Sequence, residues 1–377
     1  MKVDLPPASR VVVAMSGGVD SSATAAWLAD QGHEVIGITL RLFDPEDPLG
    51  TRRRANPENP PCNESSAVRD ARRVADHLGI RHEVLDLTDA FYTQVIAPFA
   101  ASYTRGETPL PCALCNRHIK FAHMIAWARE LGASALATGH YARRLTGSFG
   151  PTLQAATDPR RDQSYFLFAT PREHLGFLHF PLGDQPSKTA TRDLAAAYGL
   201  PVAAKPDSQD ICFVPDGDHL AALRALDPAG SSIPGPIVDG SGHVVGHHEG
   251  ITRFTVGQRK GLNLSARVGE ANEPLYVTHI EPEGQRVVVG PRAALARSTV
   301  VLRDINWLGE DVPPEGLRVR ARLRSAQAPV PATFALTSDG GGILTLDAPV
   351  FGIAPGQAGV LYDNDRVLGG GWISSAT

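Results

Sequence analysis

A chain of 377 residues with 42% apolar side chains, 37 glycines and only four cysteines has material for two or three packed domains. It is neither a disordered chain nor a disulfide-stapled scaffold. Its 36 basic and 40 acidic residues leave a formal charge of −4, so any nucleic acid must be met by a local basic patch rather than by bulk charge. The opening MKVDLPPASR lacks the apolar core of a secretory signal, and no run of eighteen apolar residues occurs, which points to a cytoplasmic chain without a membrane span.

Residues 11–140 alternate apolar runs with amphipathic stretches. Val11–Met15 reads as a buried strand, Ser21–Gln31 as a helix stopped by Gly32, and Glu34–Leu40 as a second strand. Ser65–Leu78 is the next helix, with Val68, Ala71, Ala75 and Leu78 on one face and Gly79 after it. Glu83–Leu87 is a third strand, Cys115–Leu131 a helix closed by Gly132, and Ala135–Thr138 a fourth strand. This order predicts an α/β domain over residues 1–215 built on a doubly wound parallel sheet. Phe43–Asn63 interrupts it with five prolines and the run Arg52-Arg53-Arg54. With little that can pack, the stretch reads as a loop or lid, or equally as a tolerated surface insertion. Past Leu226 helical periodicity fades and β-rich runs alternate with turn signals such as Asp339-Gly340-Gly341-Gly342. Leu275–Ile280 with Arg286–Val289, and Ala332–Leu336 with Ile343–Leu346, read as hairpins. A small linking domain over 216–290 and a C-terminal β-barrel over 291–377 are expected.

The stretch Ser16-Gly17-Gly18-Val19-Asp20-Ser21-Ser22 follows a strand and opens a helix. Two glycines let the backbone approach an anion, the helix-start amides point at it, and three hydroxyls add hydrogen bonds. It has no lysine where a Walker loop needs one, and it is not the dinucleotide fingerprint. Cys112 and Cys115 form C-A-L-C at a helix start, where thiol pKa values are expected to fall. Cys212 lies in KPDSQDICF. A lone cysteine is ordinarily a small buried hydrophobe, whereas a CxxC at a helix start points to chemistry.

The glycine-rich loop resembles the pyrophosphate loop of the N-type ATP pyrophosphatases, which adenylate a carbonyl oxygen and let a nucleophile displace AMP. The whole chain resembles the bacterial tRNA-specific 2-thiouridylases through AMSGGVDSS (14–22), TPLPCALCN (108–116), ATGHYAR (137–143), DQSYFL (162–167), KPDSQDICF (205–213), VGQRKGL (256–262) and APGQAGVLY (354–362). The resemblance implies an adenine nucleotide alpha hydrolase-like catalytic domain and ATP-dependent replacement of the C2 oxygen of the wobble uridine by sulfur. It places ATP against Ala14, Met15, Ser16, Gly17, Gly18, Val19, Asp20 and Ser21, with Leu40 and Gly139 at the adenosine. It makes Cys115 the nucleophile and Cys212 the persulfide carrier, and sets Leu110, Pro111 and Cys112 beside a flipped base. It places tRNA against His140, Arg161, Asp162, Gln163, Arg324, Ser325 and Gln357. The tRNAs implied are those for Lys, Glu and Gln. The sulfur donor implied is a cysteine desulfurase acting directly or through a relay.

Cys112 departs from family members that carry an aspartate there, so it does not inherit an acid–base role. Three readings of the cysteines stay open. In one, a persulfide on Cys212 is resolved by Cys115. In another, Cys112, Cys115 and Cys212 hold a [4Fe–4S] cluster with one open iron. In the third, zinc is bound with His118. Cys62, in the proline-rich stretch, reads as a fourth ligand, a sulfur acceptor or, by default, a bystander. Mg²⁺ accompanies ATP, with Asp20, Asp158, Asp162 and Asp207 as candidate contacts.

Arg318, Arg320, Arg322 and Arg324 recur at period two, which is expected to line one strand face with guanidiniums for a phosphate backbone; Arg259-Lys260 is a second basic candidate. His243, His247 and His248 sit in a hairpin-like stretch and read as structural. Two other classes compete. One is an amide- or guanidine-forming ligase on the same loop, which leaves the cysteines unexplained. The other is a non-catalytic zinc RNA-binding protein, which predicts tRNA binding without ATP consumption.

Overall fold

The computed structural model describes residues 1–50, 65–148, 150–207, 210–214, 217–227, 230–262, 264 and 273–377. Its chain forms two compact units, one of Met1–Val95, Cys112–Val214 and Asn364–Leu368, the other of Ile96–Pro111, Pro215–Asp363 and Gly369–Thr377.

The first unit is built on strands β1 (Arg10–Ala14), β2 (Glu34–Arg41), β3 (Arg81–Asp86) and β4 (Ala135–Thr138), followed by the hairpin β5 (Ala142–Gly147) and β6 (Gly150–Ala155) and the two-residue β7 (Leu178–His179). The parallel sheet runs β3-β2-β1-β4-β7. Val11, Val12 and Val13 are wholly buried, as expected of a strand covered by helices on both faces. The winding reverses between β1 and β4. A ligand crevice belongs at such a point, outside the carboxyl ends of the strands. The helix Val19–Asp30 leaves β1 there. The helix Ser66–Leu78 is capped by the Ser65 hydroxyl and ends on Gly79 at φ 65°, which realises the amphipathic stretch read from sequence.

Two expectations change here. The helix read over Cys115–Leu131 is three pieces: Pro111–Leu114, a π-helical stretch Cys115–Phe121, and Ala122–Glu130. Cys115, Asn116, Ile119 and Phe121 are all buried, a spacing too broad for one α-helical stripe. The wider winding accommodates it, and Asn116 reaches the Phe166 carbonyl at 3.0 Å. The stretch read as having little to pack is closed at its start, where Asp44, Asp47 and Leu49 are buried in a turn. Arg52–Arg54 and Cys62 lie outside the described residues.

In the second unit β8 (Gly235–Asp239), β9 (Val244–His248), β10 (Tyr276–Glu281) and β11 (Arg286–Gly290) form a sheet in the order β10-β11-β8-β9. It encloses Ile237, Ile251, Phe254, Val277 and Val287. Strands β12 (Ala296–Trp307), β13 (Leu317–Arg322), β14 (Val330–Leu336), β15 (Gly342–Phe351), β16 (Ala358–Asp363) and β17 (Arg366–Ala376) run in the order β12-β15-β14-β13-β16-β17. Pairing of β12 with β17 closes this six-stranded barrel. Both hairpins read from sequence are present, as β10–β11 and β14–β15. His248 accepts from the Gly250 amide and faces the Gln285 carbonyl, each at 3.0 Å, so it serves the fold.

Candidate active site

The first unit carries the phosphate loop. Met15 is tied to β2 by its amide on the Ile38 carbonyl and by the Thr39 hydroxyl on its own carbonyl, both 2.8 Å. The Ser16 amide donates to Ser21 Oγ at 3.0 Å, and the Ser22 hydroxyl to the Gly18 carbonyl at 2.8 Å. Gly17 sits at φ +69°, where a Cβ would come within 2.3 Å of the Ala67 carbonyl oxygen. No side chain caps the helix at Gly18, which leaves its first amides without a side-chain acceptor, the arrangement in which a helix start can receive an anion. Gly139 passes so close that a Cβ would meet the Ser21 nitrogen at 2.7 Å. Ala14, Met15, Ser16, Gly17, Gly18, Val19, Asp20, Ser21 and Gly139 are thus drawn together. Leu40 sits half-buried near the end of the adjoining β2.

The lysine that the loop's own sequence lacks arrives from elsewhere. Lys188, 8% exposed, holds both Asp20 oxygens at 2.7 and 2.8 Å and Asp207 at 2.9 Å. The Tyr141 hydroxyl donates to Asp20 at 2.9 Å. Lys205 donates to the Gly17 carbonyl at 3.0 Å and pairs with Asp70 at 2.7 Å. Burial works to raise Asp207, but Lys188, Arg192 and Arg161 outweigh it and hold the carboxyl below its ordinary range. Lys188 and Lys205 were not singled out from sequence. Their signal was position: one follows the helix cap Ser187, and the other opens KPDSQDICF.

The cysteines of this unit lie within electrostatic reach of one another. Burial raises the Cys112 thiol against the opposing Lys120, and it raises Cys115 against Lys120 with Cys112 adding to the rise. Burial, then Cys115 and Cys112, push Cys212 up to about 12. These shifts run opposite to the fall expected at a helix start, while Cys112 and Cys212 are exposed and only Cys115 is buried. Desolvation disfavours the thiolate of the buried Cys115, and the four-residue helix Pro111–Leu114 offers little dipole against it. Cys212 is anchored through Phe213, which is 1% exposed and meets Phe91 edge-on at 5.6 Å. Lys120 opposes all three shifts. It follows Cys115 by five positions, the hydrogen-bonding interval of a π-helix, and that relation becomes visible only once the π-helical winding is known. Among the described residues no three His, Cys, Asp or Glu side chains stand at metal-holding distance.

The other expected contacts fall in place unevenly. Burial, then Lys120, keeps His140 well below its ordinary value and hence neutral; its Nδ1 lies 2.8 Å from the Thr138 hydroxyl. Gln163 accepts from the Tyr141 amide at 2.9 Å. Asp162 accepts from the Ala156 and Ser164 amides at 3.0 and 3.1 Å and from the Ser164 hydroxyl at 2.9 Å. Arg161 leans on Asp207 at 3.3 Å, and Asp158 holds Arg160 at 3.1 Å. All four candidate Mg²⁺ carboxylates therefore have protein partners.

In the second unit Leu110 and Pro111 are buried, and Gln357 donates to the Thr108 and Pro109 carbonyls at 3.0 and 3.3 Å. The arginine row departs from its expectation. β13 ends at Arg322, so Arg324 lies beyond it, beside Ser325 and against Gly257 and Gly352. Arg318 is held by Asp347 through two bonds of 2.6 and 2.8 Å. The plain period-two pattern could not register a carboxylate on β15.

Comparison with known proteins gives three matching family descriptions: "tRNA methyl transferase HUP domain" over residues 9–216, "tRNA methyl transferase PRC-barrel domain" over 226–291, and "Aminomethyltransferase beta-barrel domain" over 297–373. The chain is 53% identical to the "tRNA-specific 2-thiouridylase MnmA" of Rhodospirillum centenum over 98% of its length and 93% of the relative's. It is also 53% identical to the protein of that name from Rhodospirillum rubrum, over 98% and 97%. Among solved structures, a 4-thiouridine synthetase–RNA complex with bound ATP matches at 19% identity and TM-score 0.33, over 59% of this chain and 51% of that one.

Proposed function

The chain belongs to the family of tRNA-specific 2-thiouridylases, and from that premise we propose that it catalyses ATP-dependent 2-thiolation of the wobble uridine of tRNA. The phosphate loop holds ATP, with Mg²⁺ on its phosphates. The uridine C2 oxygen attacks the α-phosphorus and pyrophosphate leaves, which turns a poor leaving group into AMP. The tRNAs proposed are those for Lys, Glu and Gln, loaded by a cysteine desulfurase or a relay protein. Residues 1–215 perform the chemistry, 216–290 link, and 291–377 grip tRNA.

Sulfur arrives as a persulfide on Cys212. Its terminal sulfur attacks C2, and the tetrahedral species expels AMP. The Cys115 thiolate then attacks Cys212 Sγ and breaks the S–S bond. The 2-thiouridine departs with sulfur reduced, and the two cysteines are left as a disulfide for an external dithiol to reduce. The observation that carries this reading is the grouping of Cys212 with Cys115 and Cys112 close enough for each to act on the Cys212 thiol, with Cys212 itself exposed where a sulfur donor can load it. A perthiol is a stronger acid than a thiol, so the sulfur-loaded cysteine is ionised where the bare one is not. Lys120 supports the anion. Cys112, Cys115 and Cys212 are also the set a [4Fe–4S] cluster would use.

The test is unmodified tRNA incubated with ATP and either a persulfide donor or sulfide, followed by nucleoside mass spectrometry. The reading predicts 2-thiouridine with the persulfide donor, AMP in equal amount, and no dependence on iron. Thiolation by sulfide that requires protein-bound iron would replace the persulfide with the cluster. No 2-thiouridine from either source would remove the function.

A further inference from the structure

We propose that Lys188 is a positioning residue that ties the phosphate loop to the segment carrying Cys212, so that nucleotide on the loop changes how Cys212 is presented. The inference rests on the reading of the loop as an ATP site. Asp20 belongs to the loop, Asp207 belongs to the stretch KPDSQDICF that ends at Cys212 and Phe213, and one ammonium joins them at 2.7 and 2.9 Å. Lys188 is 8% exposed. Its pairs are therefore screened far less than surface pairs and respond strongly to new charge. A second tie runs in parallel, because Lys205 in the same stretch reaches the Gly17 carbonyl at 3.0 Å.

Around the loop four cations, Lys188, Lys205, Arg192 and Arg161, face three carboxylates, Asp20, Asp70 and Asp207. This surplus suits a polyphosphate. Phosphate arriving at the loop competes with Asp20 and Asp207 for the Lys188 ammonium. Asp207 keeps Arg192 at 2.7 Å and Arg161 at 3.3 Å, so the segment is re-aimed rather than released. Phe213, next to Cys212, is packed edge-on against Phe91. Filling of the ATP site is thereby reported to the sulfur-bearing cysteine.

The experiment measures alkylation of Cys212 by N-ethylmaleimide in the full chain, with and without Mg²⁺ and an ATP analogue bridged by methylene between the α- and β-phosphates. The modified peptide is quantified by mass spectrometry, and analogue binding is measured in parallel by calorimetry. Saturating analogue is expected to slow alkylation in the unsubstituted chain at least about five-fold, the lower end of ordinary site–site coupling. Asp207→Asn is expected to bind the analogue and lose this response. Lys188→Met is expected to lose it and Lys188→Arg to keep it. Asp207→Asn leaves the Lys188–Asp20 pair in place, so it serves if Lys188→Met does not fold. A full response in Asp207→Asn, or analogue that binds the unsubstituted chain without altering Cys212, overturns the proposal. Failure of the analogue to bind the unsubstituted chain overturns the ATP reading and this inference with it.

Discussion

The Lys205 ammonium donates to the Gly17 carbonyl at 3.0 Å across 188 residues of sequence. The bond fixes the glycine at which the phosphate loop turns, with φ +69° and no room for a Cβ beside Ala67. Replacing Gly17 with Ala is expected to cost about 1–2 kcal/mol for the left-handed backbone alone, and more through the clash. The checks are a lower denaturant midpoint and a raised KM for ATP. A variant with unchanged KM would place the phosphates elsewhere.

Cys115→Ser is expected to abolish thiolation while leaving tRNA affinity near that of the unsubstituted chain, as filter binding at fixed salt would show. A tenfold loss of affinity, about 1.4 kcal/mol, would make Cys115 a structural residue.

The raised Cys212 thiol predicts a pH profile. An ordinary thiol approaches its limiting alkylation rate near pH 9, whereas Cys212, pushed up to about 12, should keep gaining about tenfold per pH unit beyond that point. The same shift carries a sign for stability. The folded state holds the proton more tightly than the unfolded one, so this contribution is present below the ordinary thiol value and is lost as pH rises from there toward 12. A rate plateau near pH 9 would contradict the raised Cys212 thiol.

Phe213, 1% exposed and edge-on to Phe91, should cost about 3–5 kcal/mol on replacement by Ala. Thiolation should fall further than ATP binding, because the lost ring aims Cys212 and does not touch the phosphate loop's hydrogen bonds. Equal losses in both would assign Phe213 to general packing.

Arg318 is spent on Asp347, so the basic strand has a reserve. Arg320→Ala is expected to lower the salt slope of tRNA affinity by about one. Asp347→Asn is expected to raise it by freeing Arg318. Slopes unchanged in both variants would move the tRNA off this strand.

The sheet was legible because Val11–Met15, Glu34–Leu40 and Ala135–Thr138 are uninterrupted apolar runs, and a strand buried on both faces leaves that signature without help from distant residues. The phosphate loop was legible for the same local reason, since turn, glycine and helix start are contiguous. What was hidden is what the fold brings together from afar. Lys188 and Lys205 look like surface lysines until Asp20 and Gly17 are beside them. The π-helical winding of Cys115–Phe121 depends on burial of Cys115, Asn116, Ile119 and Phe121 together. The thiol shifts depend on desolvation and on neighbouring sulfurs, neither of which has a sequence spacing.

The most direct measurement is a single turnover in the absence of iron and free sulfide. Protein carrying a heavy-sulfur persulfide on Cys212 is mixed with ATP, Mg²⁺ and unmodified tRNA, and the nucleosides and cysteine peptides are weighed. The account predicts heavy sulfur in 2-thiouridine, with a Cys115–Cys212 disulfide formed in equal amount. Heavy sulfur retained on Cys212, with thiolation appearing only when iron and sulfide are restored, would contradict it.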